Sequence, residues 1–91
     1  MIILWYFNWR TAPGEDKRKG LKEIYEKVKK AFEKTDVKFL GPYGPLNERW
    51  NYVWMFEAES FDKYMEVRMK LGPAPKEITN HIHKLLFPDQ F

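Results

Sequence analysis

Two stretches of this chain alternate large rings with other side chains, and that alternation limits the possible folds more than any other feature. In the stretch Trp50-Asn51-Tyr52-Val53-Trp54-Met55-Phe56-Glu57, every second residue is aromatic. A period of two belongs to a strand, whose successive side chains point to opposite faces, and aromatic residues favour strands. The opening stretch, residues 2–10, repeats the pattern, with Ile3, Trp5, Phe7 and Trp9 on one side and Ile2, Leu4, Tyr6 and Asn8 on the other. Both of its sides are largely apolar, as expected of a strand covered on two faces.

Between and after these strands the pattern changes period. Leu21, Ile24, Tyr25, Val28, Ala31 and Phe32 recur at helical spacing, which predicts an amphipathic helix from about 16 to 34, with Glu15 and Asp16 at its positive end. On its outer side, Glu23–Lys27 and Glu26–Lys30 stand one turn apart, a spacing that supports ion pairs. A short strand is expected over Asp36–Leu40, then a loop over 41–48 with two Gly-Pro pairs, then the aromatic strand over Arg49–Glu59. Ser60 is placed to cap a second helix from Phe61 to about Leu71, with Phe61, Tyr64, Met65 and Met69 facing inward and Gly72-Pro73 ending it. The last segment fits two patterns. As a strand over Asn80–Phe87 it sets His81, His83, Leu85 and Phe87 on one side; as a helix from Pro75 it aligns Ile78, Ile82, Leu85 and Leu86. The strand is preferred, because it completes a stable layer arrangement, and residues 88–91 form a tail.

Composition excludes several classes. The 91 residues suit one domain, and 44% hydrophobic with 32% charged residues is a globular mixture. Cysteine is absent, which removes disulfides, thiolate nucleophiles and Cys-based metal sites. Residues 1–7 are apolar but too short for a membrane span of roughly 20 residues, and no basic region precedes them as in a signal peptide. The chain is therefore expected to be soluble and cytoplasmic, with no membrane partner. Gly41-x-x-Gly44 lacks the Lys-Ser/Thr of a phosphate loop. Ser60, the only serine, is accounted for as a cap, so a Ser-His-Asp hydrolase is not expected.

The order βαββαβ places two helices on one face of a four-stranded antiparallel sheet, a ferredoxin-like α+β sandwich. Two helices cover one face only. Large aromatics bury on the order of 150–250 Å² each, more than the few hundred Å² of apolar patch usual on a monomer if several stay wet. A second layer is therefore expected over the sheet, and a second copy of the chain is the commoner way to supply one. Trp5, Trp9, Trp50, Tyr52, Trp54 and Phe56 are the residues expected at that interface.

The strands Ile2–Arg10 and Trp50–Glu59, with the junction Phe56-Glu57-Ala58-Glu59-Ser60-Phe61-Asp62 running straight from strand into helix, give the chain a pattern that resembles the dimeric α+β barrel superfamily. The resemblance covers nearly the whole chain and implies a sheet-to-sheet homodimer. It implies no single function, since that superfamily holds monooxygenases, isomerases, heme proteins and stress-response proteins. Its heme-degrading members use an Asn on the first strand, a Trp in the sheet and a His on the second helix. Asn8 and Trp54 match the first two, but no His lies between Ser60 and Leu71. Neither a heme nor another cofactor is expected.

Candidate chemistry is sparse. His81 and His83 share a strand face at a spacing that can put two imidazoles on one metal, but Glu77 is the nearest carboxylate in sequence, and half-exposed strand residues describe the pair more simply. No metal site is expected. Asn8 interrupts an apolar strand, where a hydrogen bond at the strand end explains it as well as a ligand does. A pocket between sheet and helices, for a small apolar ligand, would draw its lining from Trp5, Tyr25, Tyr52, Trp54 and Tyr64, and its polar groups from Asn8, Arg10, Arg49, His81 and His83. These aromatics would equally serve as plain core or interface. A cofactor-independent monooxygenase-like enzyme is one alternative. The other is a single-stranded RNA-binding module, since the RNA recognition motif shares the βαββαβ order. Arg49-Trp50-Asn51-Tyr52-Val53 lacks the glycine of its third-strand motif, and the lysines gather on the first helix, away from a stacking face. Nucleic acid is not the expected partner.

Overall fold

The first strand carries the architecture. In the computed structural model, which describes residues 1–44 and 49–88, β1 (Ile2–Trp9) lies inside a four-stranded sheet of order β2-β3-β1-β4. Its neighbours are β3 (Tyr52–Glu57) and β4 (Ile78–Leu86), both antiparallel to it; β2 (Lys38–Tyr43) pairs with the far side of β3. With α1 (Lys17–Glu33) and α2 (Phe61–Met69) between strands, the order is the ferredoxin-like βαββαβ layout. Among the described residues no helix is long and apolar enough to cross a membrane. The expected loop residues 45–48 and tail residues 89–91 lie outside the described residues.

Alternation decides which side of β1 meets the helices. Ile3, Trp5, Phe7 and Trp9 are all buried, and they join Trp54 and Phe56 of β3, Val28 and Phe32 of α1, and Tyr64 and Val67 of α2 in one core. The rings interlock: Trp5 stacks on Phe7 at 4.4 Å and stands edge-on to Trp54 at 5.8 Å, while Phe32 lies 4.9 Å from Phe56. These are the offset and edge geometries that the ring quadrupole favours. The structure therefore corrects the expected interface. Trp5, Trp9, Trp54 and Phe56 fill the subunit's own core, because the two helices do hide them, and Tyr52 stacks on Phe7 in the same layer. Trp50 alone of that set packs toward the other face, 6.1 Å from Tyr6, because it precedes the start of β3 and so escapes its alternation.

The helices begin where the side chains can cap them. Asp16 Oδ1 accepts from the Arg18 N–H at 2.9 Å and Ser60 Oγ from the Lys63 N–H at 3.2 Å, each satisfying a donor that the first turn leaves unpaired. The α1 stripe packs as its spacing predicts. Gly20, in mid-helix, has a packing cause: a Cβ there would meet Trp9 Cζ2 at 2.8 Å, so its absence lets α1 close over the end of β1. On α2 the inner face differs from expectation. Met69 is 73% exposed, and Tyr64 and Val67 are the buried residues. Arg68 takes the place on the inward stripe beside Tyr64. Among the described residues the one ion pair is Lys63–Glu59; Glu23–Lys27 and Glu26–Lys30 do not close.

Two boundaries also move. β2 starts later than expected and runs through Gly41-Pro42 to Tyr43. A register shift between Phe39 and Gly41, with Gly41 at φ 135°, absorbs the turn signal as a bulge. β2 is an edge strand, where proline is tolerated because one side of the backbone needs no partner. The last segment is a strand, Ile78–Leu86, and the helical alternative from Pro75 is not adopted. Pairing with β1 over its whole length decides the matter.

Candidate functional site

Under the helices, at the β4 edge of the sheet, polar groups converge in an otherwise aromatic layer. α2 supplies Tyr64 and Arg68, one turn apart on the same face. β4 supplies His81 and His83 from its helix-facing side, and β1 supplies Trp5, which is paired across the ladder with His83. Arg68 Nη1 donates to the Tyr64 hydroxyl at 2.7 Å and to His83 Nε2 at 2.8 Å, and the Tyr64 hydroxyl lies 2.9 Å from His83 Nε2. Trp5 Nε1 donates to His81 Nδ1 at 3.2 Å. The Arg68 guanidinium carbon sits 4.1 Å from the Trp5 ring centroid, a cation–π stack.

This network sets the protonation of its members. An arginine has no acceptor, so His83 Nε2 must accept, and its imidazole is neutral with the proton on Nδ1. Burial is the main cause that pushes His83 down to about 4; the positive charge of Arg68 and then His81 add to it. Burial, followed by Arg68, lowers His81 as well. Burial raises Tyr64, and the charge and hydrogen bond of Arg68 oppose that rise. Both imidazoles are thus neutral bases beside a fixed cation. The same cation disfavours a metal ion here, and Trp5 and Arg68 already occupy one nitrogen of each histidine. Among the described residues no three His, Asp or Glu side chains group to hold a metal.

A cavity of about 250 Å³ opens in front of Tyr64 and Arg68. Its walls are Ile24, Lys27, Val28 and Phe32 from α1, Trp5 and Phe56 from the sheet, and the turn 71–75 that follows α2. Of the pocket residues expected from sequence, Tyr64 and Trp5 line it. His83 stands behind Tyr64, and His81 behind Trp5. Tyr25, Tyr52 and Trp54 instead border a separate groove, with Leu21, Lys22, Pro42, Tyr43 and Gly44, near the β2 edge.

The remaining candidates lie elsewhere. Asn8 faces away from the helices, because it alternates with Phe7 and Trp9. Its amide donates to the Arg49 carbonyl and to Asn80 Oδ1, both at 2.9 Å, and its Oδ1 accepts from the Asn51 N–H at 2.8 Å. It is a strut between β1, β4 and the segment leading into β3. Asn8 and Trp54 are on opposite faces of the sheet, so the two matches to the heme-degrading pattern do not share a site. Arg10 is exposed beyond the end of β1, where its N–H donates to the Glu77 carbonyl at 2.7 Å.

Arg68 was missed by sequence reasoning. Its signal is present: Phe61, Tyr64, Met65 and Arg68 follow i, i+3, i+4, i+7, so a charged residue sits on an apolar stripe. Compared with known proteins, the chain matches no family model and no curated protein.

Proposed function

We propose that this protein binds a small, largely apolar molecule in the cavity between its helices and its sheet. The observation that carries the reading is the cavity itself: about 250 Å³, walled mainly by aromatic and aliphatic side chains, with Tyr64 and Arg68 converging at one side and Lys27 on the α1 wall. An apolar cavity of about 150 Å³ accommodates a benzene ring, so one ring with a short substituent fits. The grooves between α1 and β2 are wider but lie more open to solvent, whereas this gap is the more enclosed, as burial of an apolar ligand requires. Titration with benzyl alcohol tests the reading, followed by tryptophan fluorescence and by the chemical shift of the Trp5 indole N–H. Saturable changes are expected, and Ala74→Trp, at the exposed mouth, abolishes them. A linear, unsaturable response overturns the reading.

A second reading concerns assembly, and the open face of the sheet favours it. Ile2, Leu4 and Tyr6 of β1, Val53 and Met55 of β3, and Ile82 and Leu86 of β4 form a largely apolar field there, interrupted by Lys84 opposite Leu4 and bordered by Glu57 opposite Ile2. Ile82 and Leu86 are exposed, whereas Leu4 and Val53 are already covered by their neighbours. Two such faces pressed together form the sheet-to-sheet homodimer of the dimeric α+β barrels. The same face weighs against single-stranded RNA, because the rings of β1 and β3 that would stack on bases are under the helices, which leaves Tyr6 with the neighbouring Trp50 on the open side. An oxygenase-like activity would use the same cavity, and the ligand titration is its first test.

A further inference from the structure

The cavity has a charge asymmetry that a purely apolar ligand does not use. Arg68 and Lys27 line it, and no Asp or Glu does. Arg68 is half-buried, and among the described residues no carboxylate lies within ion-pair distance of it. A half-buried cation without an anionic partner is unusual, since desolvated charge is costly unless compensated. Here the compensation within the fold consists of a ring face and two neutral acceptors: the Trp5 indole, the Tyr64 hydroxyl and His83.

The guanidinium is also held in a particular way. Both of its hydrogen bonds to the protein come from Nη1. The side-on edge formed by Nε and Nη2 makes no hydrogen bond among the described residues. That edge presents two parallel N–H donors, the fork that matches the two oxygens of a carboxylate. Stacking on Trp5 and the bonds to Tyr64 and His83 fix the plane of the fork, so little side-chain entropy remains to be lost on binding.

Building on the proposed ligand cavity, we infer that its occupant is a small apolar carboxylic acid in ionised form, with the carboxylate on the Nε–Nη2 edge of Arg68 and the apolar body against Trp5, Val28, Phe32 and Phe56. Lys27 adds a second positive charge at the cavity wall. Tyr64 and His83 act as positioning residues that orient Arg68.

Phenylacetate and its neutral isostere phenylacetamide separate this inference from the one it rests on. By calorimetric titration of the whole chain at pH 7, phenylacetate is expected to bind at least about tenfold more tightly, the size of one charge-assisted pair. Arg68→Met is expected to remove that preference, so that within this variant the acid no longer binds more tightly than the amide, a loss of at least about tenfold in the ratio of the two affinities. Arg68→Lys keeps the charge but loses the fork, and retains only part of the preference, which guards against a general electrostatic effect. Circular dichroism of each variant establishes that it is folded. If the acid and the amide bind equally, the carboxylate assignment is overturned and the cavity reading stands. If neither compound nor benzyl alcohol binds, both fall.

Discussion

The two faces of the sheet are built from the same strands, yet they do different work. On the covered face, Ile3, Trp5, Phe7, Trp54 and Phe56 are sealed under α1 and α2, and the polar groups that intrude at the β4 side are hydrogen-bonded within two small clusters. On the open face the side chains are mostly aliphatic, partly wet, and end in a polar row of Asn8, Asn51 and Asn80 at one end of the sheet. The difference shows that rings were spent where ring-to-ring geometry fills space under helices, while the other face keeps side chains that tolerate either water or a second sheet. Aromatic content alone therefore says little about association; the face on which the rings stand decides it.

Neighbouring residues on β3 give the sharpest break of this comparison. Phe56 points into the core and Met55 away from it, so Phe56→Ala is expected to cost about 3–5 kcal/mol in urea unfolding. Met55→Ala, on a half-covered face, is expected to cost about 1 kcal/mol, from loss of part of its burial. Equal costs would mean that the open face is as dry as the covered one. Association sharpens the contrast next. The wild-type chain is expected to sediment at twice its 11.1 kDa subunit mass, and Met55→Lys at the subunit mass. A wild-type chain that sediments as a single subunit breaks the pairing proposal and leaves the cavity untouched. At the polar row, Asn8→Ala removes three hydrogen bonds and is expected to lower stability by about 1–2 kcal/mol.

The smallest effect belongs to the histidine on the covered face. His83 is held near 4 in the folded chain and returns to its ordinary value of 6.5 on unfolding. Between those values the unfolded state binds more protons, so stability is full above about pH 6.5 and falls as the pH drops toward 4. His81 is lowered too and contributes in the same direction. Because the ring is only partly buried, the expected loss attributable to His83 is on the order of 1 kcal/mol. It is measured as the difference in pH slope between the wild type and His83→Gln; identical slopes would place the imidazole in water.

Much of the fold is legible in the order of periods. The alternation in β1 and β3, the α1 stripe and the Ser60 cap each specify an element from local residues alone. What is not legible depends on partners far along the chain. Both faces of β1 are apolar, so no local pattern says which one the helices cover; that follows from how Ile3, Trp5 and Phe7 fit against Val28, Phe32 and Tyr64. Gly41-Pro42 reads as a loop until β3 is beside it to hold a bulged edge. Trp50 matches the β3 period but precedes the strand. For the site, His81 and His83 drew attention by residue type, whereas Arg68 looked like one more surface charge on a helix rich in them. Only its place on the inward stripe separates it from Lys63 or Lys70.

The order of strands in the sheet has a kinetic consequence. β1, made first, ends as the neighbour of β4, made last, and of β3 from beyond the middle of the chain. Local hairpin closure is available to β2 and β3 alone, so the longest ladder forms only after large loops have closed, which slows folding relative to helical domains of this size. During synthesis the indole of Trp5 waits for its imidazole partners until residues 78–86 have emerged.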